Sequence, residues 1–156
     1  MNRGMETTKG GFSLLELLLV LVILAAVAAV AAPRYGRASG RYRADLAARR
    51  VMADLRLAQS YAKAASCSRT VSFSTAAGRY QLLDVPAPDG VPGDYTVVLS
   101  AEPYQAALTS ADFGGSPQVV FNGWGLPDKG GTVMLAAGGE QRTVVVDGVT
   151  GRISVQ

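Results

Sequence analysis

One acidic residue at the mouth of a long apolar run constrains this chain most. Leu17 to Ala32 is an unbroken series of Leu, Val, Ile and Ala, and Glu16 stands directly before it. Counting Leu14 and Leu15, the stretch reaches nineteen residues, interrupted only by Glu16. At about 1.5 Å per helical residue it nearly crosses a hydrocarbon core of roughly 30 Å. A carboxylate inside such a segment costs on the order of 2.5–3.5 kcal/mol at the membrane centre, and less near an edge.

Three readings fit the first forty residues. The first is a plain transmembrane anchor. The second is a secretory signal peptide, with Arg3 and Lys9 before the apolar run and small residues near Ala28–Ala32. Pro33, directly after those alanines, argues against cleavage at that junction. The third is a leader that is cut to leave the apolar helix in place. Glu16 discriminates among them, because an anchor or a signal peptide gains nothing from it. A subunit that packs helix against helix does gain. Cleavage between Gly11 and Phe12 creates a new amine four residues before Glu16, and that amine can pair with a neighbour's carboxylate. The pairing offsets burial of both charges and sets the register between subunits.

The stretch Gly11-Phe12-Ser13-Leu14-Leu15-Glu16 and the run behind it resemble the N-terminal signal of type IV pilins and type II secretion pseudopilins. The resemblance implies that a prepilin peptidase cuts after Gly11 and methylates the amine of Phe12. It implies that Glu16 is the assembly carboxylate and that Pro33 kinks the helix. The implied divisions are a leader over 1–11, a transmembrane helix over 12–32, an amphipathic stalk over 33–66 and a β-rich domain over 67–156. The implied location is the inner membrane, crossed once, with the large domain periplasmic and part of a filament. A positive-inside count alone gives the opposite orientation, since Arg34, Arg37, Arg41 and Arg43 follow the span.

Charge is segregated along the chain. Residues 34–63 carry eight Arg or Lys against Asp45 and Asp54, a net of +6, whereas residues 64–156 net −3 and residues 1–33 cancel. The basic character therefore belongs to the stalk. Helical spacing puts Ala48, Val51, Met52, Leu55, Ala58, Ala62 and Ala65 on one face, and Arg49, Arg56 and Lys63 on a solvated one. The helix is expected to run to about Ser66. Pro33 removes one N–H and crowds the carbonyl of Ala29, so a bend or local melting is expected there, and Gly36 and Gly40 weaken the following turns. The cluster from Arg34 to Arg43 follows the span and is expected to face lipid headgroups.

From Thr70 the apolar period changes to two. Val71 and Phe73 open a series of strand candidates at Tyr80–Val85, Tyr95–Ser100, Gln118–Phe121, Thr132–Ala136, Arg142–Asp147 and Arg152–Val155. Gly-rich turns separate them, and residues 86–117 read as an irregular insertion. A long helix followed by hairpins predicts an α+β fold, with the helix covering an antiparallel sheet. Phe121 and Trp124 are expected to anchor sheet against helix.

Val120 to Leu135, Arg142 to Val146 and Thr150-Gly151-Arg152-Ile153 resemble the GspH/FimT-type minor pseudopilins and minor pilins. The resemblance implies a minor pseudopilin of a type II secretion system, partnered by other pseudopilins or pilins, prepilin peptidase and inner-membrane lipid. The alternative it implies is a FimT-like minor pilin for pilus assembly or DNA uptake. Some FimT-like proteins contact DNA through a Gly-Arg-x-Arg tail, of which Gly151-Arg152-Ile153-Ser154 supplies only the first Arg. With the surrounding domain acidic, nucleic acid is not among the expected partners.

Histidine is absent, which removes Ser-His and Cys-His catalysis and most zinc sites. No phosphate-cradling loop is present, and the aspartates are too scattered for a recognisable calcium loop. No enzymatic activity, cofactor or metal is expected. Cys67 is the single cysteine, so no intrachain disulfide can form, and its small neighbours predict a buried small hydrophobe.

Overall fold

The computed structural model describes residues 13–87 and 94–156, with backbone only at 30–35 and 37. The chain divides into two compact units between Gly36 and Arg37. The basic part of the expected stalk thus belongs with the β-rich domain.

Helix α1 is assigned over Leu14–Ala65, 52 residues, and its assignment continues through Pro33, Gly36 and Gly40. Its start is local chemistry: the Ser13 carbonyl accepts the first helical bond, from Leu17 N–H at 3.1 Å, which makes Ser13 the capping residue. Its end is a left-handed cap. Ser66 takes φ 50°, Ser66 N–H bonds Lys63 O at 3.3 Å and Cys67 N–H bonds Ala62 O at 3.2 Å. Cys67 therefore lies beyond the reversal and is exposed, contrary to the buried role expected of it.

Within the Arg37–Gln156 unit, Ala44, Ala47, Ala48, Val51, Leu55, Ala58 and Ala62 are buried. Small residues dominate this face, so backbone can approach it closely. Gly40 shows the approach at its tightest: a Cβ there would lie 2.9 Å from Ala137 O and from Gly138 Cα. Gly40 is thus a packing position rather than only the weak helical turn its propensity predicts. Fully burying a Val or Leu such as Val51 or Leu55 contributes about 1.5–3 kcal/mol each. Met52 is half-buried and Ala65 is exposed, at the margin of the face and past its end.

Eight strands follow among the described residues: β1 Arg69–Ser74, β2 Arg79–Pro86, β3 Asp94–Val98, β4 Ala107–Asp112, β5 Gln118–Phe121, β6 Gly131–Ala137, β7 Glu140–Val146 and β8 Ile153–Val155. They form two four-stranded sheets, in orders β3-β2-β1-β5 and β4-β6-β7-β8. All pairings are antiparallel. The α+β architecture matches the sequence reading. Alternation sends Val71, Phe73, Tyr80, Leu82, Val119, Phe121, Val133, Leu135 and Val144 into one core. Phe73 stacks on Phe113, with ring centroids 5.8 Å apart.

Strand β4 lies inside the stretch read as irregular. Ala107-Leu108-Thr109-Ser110-Ala111-Asp112 carries one large apolar residue, and its register against β6 shifts between Leu108 and Ser110. A bulge of this kind breaks the alternation that marks a strand in sequence.

Candidate functional site

In the N-terminal unit the described side chains present apolar surface on every side. Leu14 is 82% exposed, and Leu17 to Leu24 and Val27 are all exposed. A helix apolar all round needs a dry environment from outside itself. Glu16 lies in the first turn and is exposed there, where the positive end of the helix dipole favours a carboxylate. Gly11 and Phe12 lie outside the described residues, and so does any pairing of Glu16 with the Phe12 amine. Among the described residues no helix is long and apolar enough to cross a membrane. The described side chains of the run reach from Leu14 only to Ala29.

The Arg37–Gln156 unit holds two polar constellations. The first is buried. Asp54 is 5% exposed, and its Oδ2 accepts from Tyr80 Oη at 2.6 Å and from Arg50 Nε at 2.9 Å. Burial raises the Tyr80 hydroxyl far above the ordinary phenol range, and the adjacent Asp54 charge raises it further. Tyr80 is thus held as a proton donor to Asp54. Burial works against the Arg50 cation, but the charge and hydrogen bond of Asp54 prevail and its pKa rises. The guanidinium also lies over the Tyr95 ring, 5.7 Å from its centroid. The arrangement ties helix to sheet. It offers no open reacting position and reads as structural.

Sequence reading missed Asp54 as a core residue, although a signal was there. Asp54 falls three residues after Val51 and four before Ala58, on the apolar face. Arg50 is one turn away at the i,i+4 spacing that suits an ion pair.

The second constellation is an open groove of about 870 Å³. One wall is the helical stripe Asp45, Arg49, Met52, Arg56 and Gln59; the other is Arg142 with residues 151–156. Arg142 Nε donates to Asp45 Oδ1, and Arg56 Nη2 donates to Ile153 O at 3.0 Å. Arg152 is exposed on the far wall and its guanidinium, like that of Arg49, has no hydrogen-bond or ion-pair partner among the described residues. The sequence left Arg152 alone, because Arg49 and Arg56 stand far upstream and give no local sign that they will line the same groove.

At one end of the groove Gln59 Nε2 donates to Gly125 O at 2.6 Å and to Gly151 O at 3.1 Å. It ties together two turns. In the first, Asn122 Oδ1 accepts from Trp124 N–H and Leu126 N–H, both at 3.0 Å. Gly123 fits against the helix end, since a Cβ there would meet the Ser66 backbone at 2.8 Å. Trp124 is 72% exposed, which corrects its expected role as a core anchor, whereas Phe121 is fully buried as expected. The side-chain-capped turn, not the apolar pattern, decides where Trp124 goes. In the second turn Asp147 Oδ1 accepts from Val149 N–H at 2.9 Å and Thr150 N–H at 2.8 Å. The bonds from Thr150 and Val149 hold the Asp147 carboxyl below its ordinary range. Among the described residues no cluster of three or more His, Cys, Asp or Glu could hold a metal ion.

Comparison with known proteins agrees with this architecture. Residues 47–150 match the family model described as type II transport protein GspH, and residues 7–32 match the prokaryotic N-terminal methylation motif. No curated protein matches the chain. Two crystal forms of the type IV minor pilin FimU of Pseudomonas aeruginosa share its fold. One has TM-score 0.55 at 14% identity, covering 74% of this chain and 90% of that one. The other has TM-score 0.50 at 15% identity, covering 72% and 91%. The GspH match takes in well over half of the sequence, and the chain belongs to this family of type IV pilin-like minor pseudopilins.

Proposed function

We propose that this protein is the H-type minor pseudopilin of a type II secretion system, built into a short periplasmic filament. The observation that carries the reading is the apolar helix from Leu14 with Glu16 in its first turn, inside the matched methylation motif. In this reading prepilin peptidase cuts between Gly11 and Phe12 and methylates the Phe12 amine. Residues 12–32 hold the chain once across the inner membrane, with the β-rich domain on the periplasmic side. Arg34 to Arg43 meet the headgroups, and a bend at Pro33 steers the helix from the membrane into the filament. Glu16 pairs with the Phe12 amine of a neighbouring subunit, which supplies both register and adhesion. The work is mechanical assembly, and no catalytic group takes part.

A second reading, a minor pilin of a type IV pilus, is favoured by the likeness to FimU. Photocrosslinking from Trp124 in cells that hold both systems separates the two. Adducts with secretion-system pseudopilins are expected. Adducts confined to pilus subunits would select the second reading, and adducts with neither would remove both.

A further inference from the structure

Among the described residues strand β8 is an edge of its sheet, paired with β7 on one side only. The ladder fixes which of its backbone groups are spent. Thr143 and Gln156 exchange both hydrogen bonds, at 3.0 and 2.8 Å, and Asp147 N–H bonds Arg152 O at 2.9 Å. In an antiparallel pair hydrogen-bonded and non-bonded positions alternate. Ile153, opposite Val146, and Val155, opposite Val144, are the non-bonded positions. Their N–H and C=O groups point away from β7. Arg56 takes Ile153 O. Ile153 N–H, Val155 N–H and Val155 C=O have no partner among the described residues.

This edge borders the groove, and the groove is charged. Its walls carry Arg49, Arg56, Arg142 and Arg152 against a single side-chain carboxylate, Asp45, which Arg142 already engages. Arg49 and Arg152 are exposed and unpaired among the described residues. Met52 and Val155 add apolar surface between the charges. A basic side chain laid on an edge strand is a common guard against unwanted pairing. Here the guard is one hydrogen bond from an exposed Arg56, and a partner that supplies both a strand and an acidic group can displace it.

We propose that the groove between the Asp45–Gln59 stripe of α1 and strand β8 receives an extended acidic segment of another protein chain, added to the sheet as a fifth strand. Main-chain bonds to Ile153 and Val155 would supply adhesion, and carboxylates facing Arg49, Arg56 and Arg152 would select the sequence. A nucleic acid suits the groove less. It has no regular backbone donors and acceptors to match a strand edge. The groove lies wholly in the Arg37–Gln156 unit, so peptide capture there does not depend on leader cleavage or filament assembly.

The test uses the full chain in detergent and a fluorescent eight-residue peptide of alternating Glu and Val, read by anisotropy. Saturable binding is expected, weakened at least tenfold by Arg49→Glu together with Arg152→Glu. Both side chains are exposed, so the fold should tolerate the change, and unchanged circular dichroism checks this. A Lys/Val peptide should not bind, and neither should a Glu/Val peptide N-methylated at every residue, which removes the donors from both edges. Equal binding of the N-methylated peptide would overturn strand addition. No binding of the Glu/Val peptide, or tighter binding of a single-stranded oligonucleotide, would overturn the choice of partner.

Discussion

Replacing Asp54 with Ala should lower the stability of the Arg37–Gln156 unit by about 3 kcal/mol. Removing one member of a buried ion pair costs about 3–5 kcal/mol, because the other charge is left uncompensated. Here that cost is reduced, since the Arg50 side chain is 37% exposed and water can reach it. Tyr80 cannot be rescued in this way. It is 1% exposed, and its hydroxyl would be left in the core without the Asp54 oxygen at 2.6 Å. A stranded buried hydroxyl costs about 1–3 kcal/mol by itself. Asp54→Asn keeps an acceptor for Tyr80 and should cost about half as much. Tyr80→Phe leaves Asp54 with Arg50 and should cost about 1–2 kcal/mol. Urea denaturation of the three variants measures the series. A loss below about 0.5 kcal/mol for Asp54→Ala, the range of ordinary surface substitutions, would show that the network does not hold helix to sheet.

Glu16→Ala should reduce incorporation into filaments at least a hundredfold while leaving membrane insertion and leader cleavage intact. The free subunit loses little, since Glu16 is exposed in the first turn of the helix. Among the described residues its local gain is with the helix dipole, about 0.3–1 kcal/mol. The assembled subunit loses much more. Without Glu16 a neighbour's terminal amine is buried among apolar helices with no counter-charge. If that costs about 3–5 kcal/mol, association falls roughly a hundredfold to a few thousandfold. The readout is the ratio of chain in the sheared filament fraction to chain in the membrane. Glu16→Gln should behave like Glu16→Ala, because it removes the charge and keeps the shape. Wild-type incorporation of Glu16→Gln would move the role of Glu16 from charge pairing to hydrogen bonding.

The two experiments address opposite ends of what the sequence makes visible. Local patterns were readable: the buried helix face at Val51, Leu55 and Ala58 follows from spacing alone, and so does the inward alternation of Val71 and Phe73. Long-range encounters were not. Nothing near Arg152 announces Arg56 or Arg49, because the fold joins them through the pairing of β8 with β7. Side-chain capping was also opaque. Trp124 looks like a core aromatic until the two bonds to Asn122 Oδ1 are known to turn its backbone outward. Cys67 fails for a backbone reason, since the left-handed Ser66 ends the helix just before it. Strand β4 was hidden by a bulge and by small residues, although Leu108 and the adjoining Phe113 are buried. Asp54 is different in kind. Its place on the apolar face was legible, but a carboxylate is read by default as exposed.

The central claim is that this chain is processed and held by its N-terminal helix as a filament subunit. Determining the mature N-terminus by mass spectrometry, after expression of the full chain beside a prepilin peptidase, tests it most directly. The account expects a chain that begins at Phe12 and carries one added methyl group. A chain beginning between Ala28 and Pro33 would make the residues before that start a discarded secretory signal and contradict the account.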